Sequence, residues 1–362
     1  MNPQPILVTG ATGKSGRRVV ARLRARGIPV RAASRTGEHP FDWTDSGTWD
    51  AALDGVRALY LVQLNGSRLV RPFLDSAVRH GVRRIVLASG RGLDDPDYIQ
   101  GSGDIRDAAL DSEAAVRDSG LEWTISRPGW FAQTFTEGIY ADAVRAGELR
   151  LPAGDGAASF LDADDVAAVV VTALTEDGHT GQTYELSGPS AVTLTEAAAI
   201  LSEATGRTIR YMPLSRREYV AELVKQDVPA TDAEAFANVA ESLRLGKDAH
   251  VSDGVQRALG RPPRTFAEAI RGAQPPPQRD DGVAFDPAHP RRRRLDGRGT
   301  MGSRTSLQAG SGLTSVRGSC QDRSVRGSYA NRPLVIVAAT LVTAIIVALN
   351  LVLIYLTATG AV

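Results

Sequence analysis

Short apolar runs alternate with amphipathic segments over the first half of the chain. "PILVTG" reads as a buried strand. The next segment, "SGRRVVARLRARG", carries Val19, Val20 and Leu23 on one face and arginines on the other, and stops at Gly27. The same alternation predicts strands at "IPVRAAS", "RALYLVQ", "RRIVLASG" and "LEWTISRPG". Between them it predicts helices at "TWDAALDGV", "SRLVRPFLDSAVRHGV" and "DIRDAALDSEAAVRDSG". Strand and helix alternating at this spacing predict an α/β fold, a doubly wound parallel sheet with helices on both faces.

After Pro128 the pattern turns richer in helix. "FLDADDVAAVVVTALTE" is a helix with Asp residues at its start, and "TLTEAAAILSEATG" is a helix opened by Thr193 or Thr195. The expected organisation is a Rossmann core over about residues 1–130 and a smaller, helix-rich C-terminal lobe over about residues 131–273. That lobe would cover the open ends of the strands, where such sheets bind ligands.

Beyond that point the composition changes. Residues 274–332 are rich in Pro, Gly, Ser and Arg, with eleven Arg against five Asp, and predict a disordered basic linker. Residues 333–362 carry no charge. Their apolar run, 334–356, would reach about 34 Å as a helix, enough for a bilayer core of about 30 Å. The arginines before it would place the main domain in the cytoplasm and the C-terminus outside. The N-terminus runs straight into the first strand, without a signal-peptide pattern. The whole chain has a net charge of only +1, which gives no reason to expect nucleic acid as a partner. One cysteine, Cys320, cannot form an internal disulfide, and the five histidines lack metal-ligand spacing. No metal is expected, and the oligomeric state is not legible.

The chemistry begins at "LVTGATGKSG". Its "GKS" imitates the end of an ATP-binding P-loop, but the required first glycine falls on Val8, inside the strand. No strand ends in an acid suited to magnesium, since "ALYLVQ" ends in Gln63 and "RIVLASG" in Ser89. The alternative uses Gly10, Gly13 and Gly16: a tight turn, a close approach to a pyrophosphate, and a helix packed against the sheet. Thr12, Lys14 and Ser15 complete this candidate cofactor loop. The second strand ends in Ser34 and Arg35 where an NAD site normally has an acid, and Glu38 lies further into the loop. Arg35 and Lys14 could clamp a 2′-phosphate, which favours NADP(H) and leaves NAD(H) possible.

The segments "ILVTGATGKSGRRVVARLRARG", "FDWTD", "RRIVLASG", "LEWTISRPGWFAQTF" and "FLDADDVAAVVVTAL" together resemble the NmrA-like, atypical short-chain dehydrogenase/reductase family, from about residue 4 to 272. The resemblance implies an NAD(P)-binding fold and either of two functions: quinone or azo reduction, or regulation by sensing dinucleotides. It implies that Asp42 and Trp43 border the adenine, and that Ser89 and Pro128 lie near the nicotinamide. A small-molecule acceptor would meet Gln63, Tyr98, Trp130 and Phe131. The aromatic residues also fit a core role, and Asp42 and Asp165 also fit as caps. Residues 333–362 are faintly similar to the closing helix of Nramp-type metal transporters; a tail anchor is the simpler expectation.

No catalytic residue is assignable from the sequence. The Tyr-x-x-x-Lys pair of ordinary short-chain dehydrogenases is absent: the only lysines are Lys14, Lys225 and Lys247, and the residues four before them are Gly10, Ala221 and Leu243. Its absence argues strongly against carbonyl or alcohol chemistry and against sugar-nucleotide epimerisation. An oxidoreductase acting on a quinone-like acceptor and a non-catalytic NADP(H) sensor both remain open.

Overall fold

The computed structural model describes residues 4–35, 37–99 and 101–273. The first βα units are β1 (Ile6–Val8), α1 (Lys14–Ala25), β2 (Val30–Ser34), β3 (His39–Pro40), α2 (Trp49–Leu53), β4 (Ala58–Val62) and α3 (Val70–Arg79). They continue with β5 (Arg84–Ala88), α4 (Gly103–Asp118) and β6 (Glu122–Pro128). The strands align in parallel in the order β3-β2-β1-β4-β5-β6, and a later strand, β9 (Gln182–Leu186), pairs in parallel with β6.

The central strands are apolar throughout because both faces are covered. Ile6, Val8, Tyr60, Val86 and Ala88 pack beneath α1 and α6 (Ala163–Thr175). Leu7, Leu59, Leu61, Ile85 and Leu87 pack on the opposite face, with side chains from α2, α3 and α4. Alternate residues of one strand thus feed two separate cores.

A division near residue 130 does not describe the chain. α6 and β9 both return to the sheet, so the Rossmann layer recruits residues 163–186. The helical period of "DVAAVVV" shows that a helix forms, not which layer it joins. The expected start of that helix also needs correction at one residue. Its N-cap is Asp162, which accepts from the Asp164 amide at 2.8 Å, whereas Asp165 lies in the first turn and bonds the Arg261 guanidinium and the Arg264 amide, both at 2.7 Å.

The remaining elements are α5 (Ala141–Ala146), β7 (Glu148–Leu151), β8 (Ala157–Ala158), β10 (Val192–Thr193), α7 (Leu194–Thr205), β11 (Arg210–Pro213), α8 (Arg216–Lys225), α9 (Ala230–Arg244), α10 (Gly254–Leu259) and α11 (Phe266–Gly272). Of these, α10 joins the layer beneath α6. The others share a third core, whose aromatic centre is Trp130, Phe135, Phe160 and Phe266. α7 opens on Thr193, which forms a reciprocal capping box with Glu196. Among the described residues, no helix is long and apolar enough to cross a membrane. The expected linker, 274–332, and the expected span, 333–362, lie outside the described residues.

Candidate functional site

The strand order reverses between β2 and β4, on either side of β1, so the crevice for a ligand opens where β1 ends. Gly10 takes φ +59°, and the side chain of Val62 from β4 stands against it. Thr9 ties the two strands together: its hydroxyl oxygen accepts the Val62 amide at 2.7 Å. Gly16 is required by contact, since a Cβ there would lie 2.2 Å from the Gly10 carbonyl oxygen. The loop therefore closes onto the start of α1 and brings the two backbones together.

The start of α1 is built for an anion. Its N-cap, Gly13, offers no side-chain acceptor, and the first turn holds no acid. The leading amides and the helix dipole are left for a ligand. A carboxylate cap, such as Asp162 on α6, would have satisfied those donors internally. These features fit a dinucleotide pyrophosphate.

Around this point the structure gathers several of the expected residues. Lys14 is buried, and desolvation lowers its ammonium to a pKa of about 8; Glu137 works in the opposite direction, while Arg17 and Arg18 add to the lowering. Glu137 itself bonds Arg17, and Arg18 at 2.8 Å. Ser15 receives the Tyr60 hydroxyl at 3.1 Å, and burial pushes that phenol up to about 12. Thr12 is exposed at the loop tip. Arg35 is exposed just after β2 and has no ion-pair partner among the described residues. Gln63 is buried directly after β4.

Trp43 reaches the end of β4, and the polar groups of both Asp42 and Trp43 are in use. Asp42 accepts from the Thr44 amide and hydroxyl, both at 2.8 Å, in a local turn. The Trp43 indole donates to the Val62 carbonyl at 3.1 Å, and its ring meets Phe41, Trp49 and Phe73 edge-on.

Further along the strand ends, Ser89 follows β5 and donates to Glu113 at 2.6 Å. Glu113 is fully buried and also receives the Arg127 guanidinium, at 2.7 Å on each carboxylate oxygen, and Arg117 at 2.8 Å. Burial alone would raise this carboxyl, but Arg127 and its fellow donors hold it below its ordinary value. Pro128 ends β6 beside this cluster. Phe131 does not line the crevice; it is 1% exposed and packs in the core under α6.

Tyr98 and Trp130 come together in the third core. Two residues that the sequence reading missed join them. Tyr98 donates its hydroxyl to Asp248, and Ser242 lies 2.8 Å from the other Asp248 oxygen. Nothing in the sequence links residue 98 to residue 248. The missed Thr9 did leave a signal, as the polar member of an apolar run. Among the described residues, no cluster of His, Cys, Asp and Glu could hold a metal. An open depression of about 410 Å³ lies elsewhere, against β9 between Glu185, His250 and Arg257.

The profile of an NAD(P)H-binding family matches residues 10–177. The (4-alkanoyl-5-oxo-2,5-dihydrofuran-3-yl)methyl phosphate reductase of Streptomyces griseus is 37% identical over 280 residues, 73% of this chain and 95% of that protein. The NAD(P)H azoreductase of Xenophilus azovorans is 32% identical over 279 residues, 73% of this chain and 96% of that protein. Among solved structures, an NADPH-dependent quinone oxidoreductase of Escherichia coli is similar, with TM-score 0.59 and 28% identity, covering 73% of this chain and 98% of its own.

Proposed function

The chain belongs to the NAD(P)H-binding, NmrA-like branch of the atypical short-chain dehydrogenase/reductases and is an NAD(P)H-dependent oxidoreductase, and on that premise we propose that it prefers NADP(H) and reduces a quinone-like or azo acceptor. The observation that carries this reading is the uncapped, acid-free start of α1 with Lys14 in its first turn, together with the exposed Arg35 after β2. The α1 amides hold the pyrophosphate, and the glycines let it approach. Lys14 and Arg35 take the 2′-phosphate, with a guanidinium suited to two phosphate oxygens. NAD(H) would lose that last contact but keep the rest.

The bound dinucleotide supplies hydride at the strand ends. Ser89 and Pro128 border that position, and Gln63, Tyr98 and Trp130 border the acceptor. With no Tyr–Lys pair, the chain contributes chiefly by holding the two reactants in register and excluding water. The names of the azoreductase and quinone oxidoreductase relatives support this acceptor class. The uncharged run of residues 334–356 supports a tail anchor that holds the reductase near membrane quinones; a full-length chain recovered only in the soluble fraction would refute that anchor.

The reading is tested by following NADPH oxidation against a panel of quinones and azo dyes. Turnover of at least one of them is expected. Tight NADPH binding with no turnover on any acceptor would instead indicate a sensor.

A further inference from the structure

A second buried carboxyl stands at the strand ends with no cation bonded to it. Asp248 is 2% exposed, and its hydrogen-bonding neighbours are the neutral Tyr98 and Ser242 hydroxyls. Among the described residues it has no ion pair. Arg91 acts on it only through space, because that guanidinium is committed to the Ser159 hydroxyl at 3.0 Å and the His250 carbonyl at 2.5 Å. Burial pushes the Asp248 carboxyl up.

Proton placement decides what the pair can do. The Ser242 hydroxyl can donate to the Asp248 oxygen 2.8 Å away. When Asp248 is ionised, Tyr98 donates to its other oxygen. When that oxygen carries a proton, the bond reverses: Asp248 donates to the Tyr98 oxygen and the Tyr98 O–H is released. Beside this group the buried Trp130 indole N–H is directed at Asp248 without reaching full hydrogen-bond geometry. Trp130 lies two residues after β6 and Tyr98 in the loop after β5, at the strand ends to which the acceptor is assigned above.

We infer that Tyr98 and Asp248 form an acid pair that delivers a proton to the acceptor. This rests on the acceptor reading above. Hydride addition to a quinone leaves a hydroquinone anion that needs one proton. The Tyr98 O–H bond breaks as the acceptor O–H bond forms, and the Asp248 proton moves to the phenolate oxygen. Solvent then reprotonates Asp248. In sum, one quinone, one reduced dinucleotide and one proton become hydroquinone and oxidised dinucleotide. Tyr98 alone is a poor acid, since burial raises it and Asp248 and Glu185 add to the rise. It works as a donor because the group behind it returns the proton at once. Asp248 acts through Tyr98 and is a positioning and reloading residue.

The test compares two acceptors on the full chain, menadione and a cationic triarylmethane dye. The dye becomes its neutral reduced form by hydride alone, without a proton. Tyr98→Phe and Asp248→Asn should lower kcat for menadione by on the order of 100-fold, the usual scale of general acid catalysis. The loss on the dye should be at least about tenfold smaller than the loss on menadione, and the NADPH dissociation constant should stay within about twofold. Independently of activity, infrared spectra of the cofactor-free chain at neutral pH should show a carboxylic-acid C=O band that Asp248→Asn removes. Equal losses on both acceptors, no loss on menadione, or no such band would overturn the inference. If the unaltered chain ignores the dye, the infrared band and a fall in kcat at constant NADPH affinity decide instead. Failure of the unaltered chain on every acceptor would overturn the acceptor reading itself; the band would still report on Asp248.

Discussion

Glu113 and Asp248 are both buried carboxyls at the carboxyl ends of the sheet, and they keep opposite company. Glu113 faces the guanidinium groups of Arg127 and Arg117 and is held ionised. Asp248 faces hydroxyls and is pushed toward the neutral form. Burial acts on both in the same direction, so the difference lies in the neighbours. An ionised, arginine-bound Glu113 fastens α4 to β6 and cannot give up a proton. Asp248, pushed toward the neutral form, keeps the company that a proton donor needs. Environment thus separates two buried carboxyls of the same chemistry.

The largest effect expected from breaking this contrast is on stability. Arg127→Met removes the main partner of Glu113 and leaves a buried charge behind, which should cost about 3–5 kcal/mol. Chemical denaturation would measure it, and a loss below about 1 kcal/mol would show that the pair is incidental. By contrast, Asp248→Asn leaves no cation unpaired and keeps the hydrogen-bonding shape, so it should change stability at neutral pH by no more than about 1 kcal/mol.

The pH dependence separates the two further. Glu113 has a lowered folded-state pKa, so its contribution is present above the ordinary carboxylate range and is lost as pH falls through it. Asp248 has a raised one, so the folded chain holds that proton longer and loses stability as pH rises. As pH rises above the ordinary carboxylate range, the unaltered chain should lose Tm, and Asp248→Asn should flatten that decline. An unchanged slope would mean that Asp248 is ionised throughout. The smallest effect concerns Lys14. It is charged below a pKa of about 8 and a phosphate favours that form, so NADPH affinity should weaken as pH rises above that value.

The alternating strands and helices and the glycine loop were legible because each rests on local spacing. β1, β2, β4, β5, β6 and α1 follow from periodicity, whereas the two-residue β3 is too short to show one, and Gly10 and Gly16 mark a backbone contact within seven residues. The acceptor end was legible only in part. Tyr98 and Trp130 stand out as aromatics near strand ends, but their partners Asp248 and Ser242 arrive from α9 and the loop after it. Such a cluster forms through tertiary packing and leaves no period in the sequence. Nor could composition show that Asp162 rather than Asp165 caps α6, since three Asp residues stand within four positions.

The account depends most on what the start of α1, Lys14 and Arg35 bind. Titration of the full chain with NADPH and NADH, alone and with Arg35→Ala and Lys14→Met, measures this directly. NADPH should bind at least about tenfold more tightly, about 1.4 kcal/mol, and each substitution should narrow the ratio while leaving NADH affinity nearly unchanged. Equal affinity for the two dinucleotides in the unaltered chain would contradict the assignment of Lys14 and Arg35 to the 2′-phosphate.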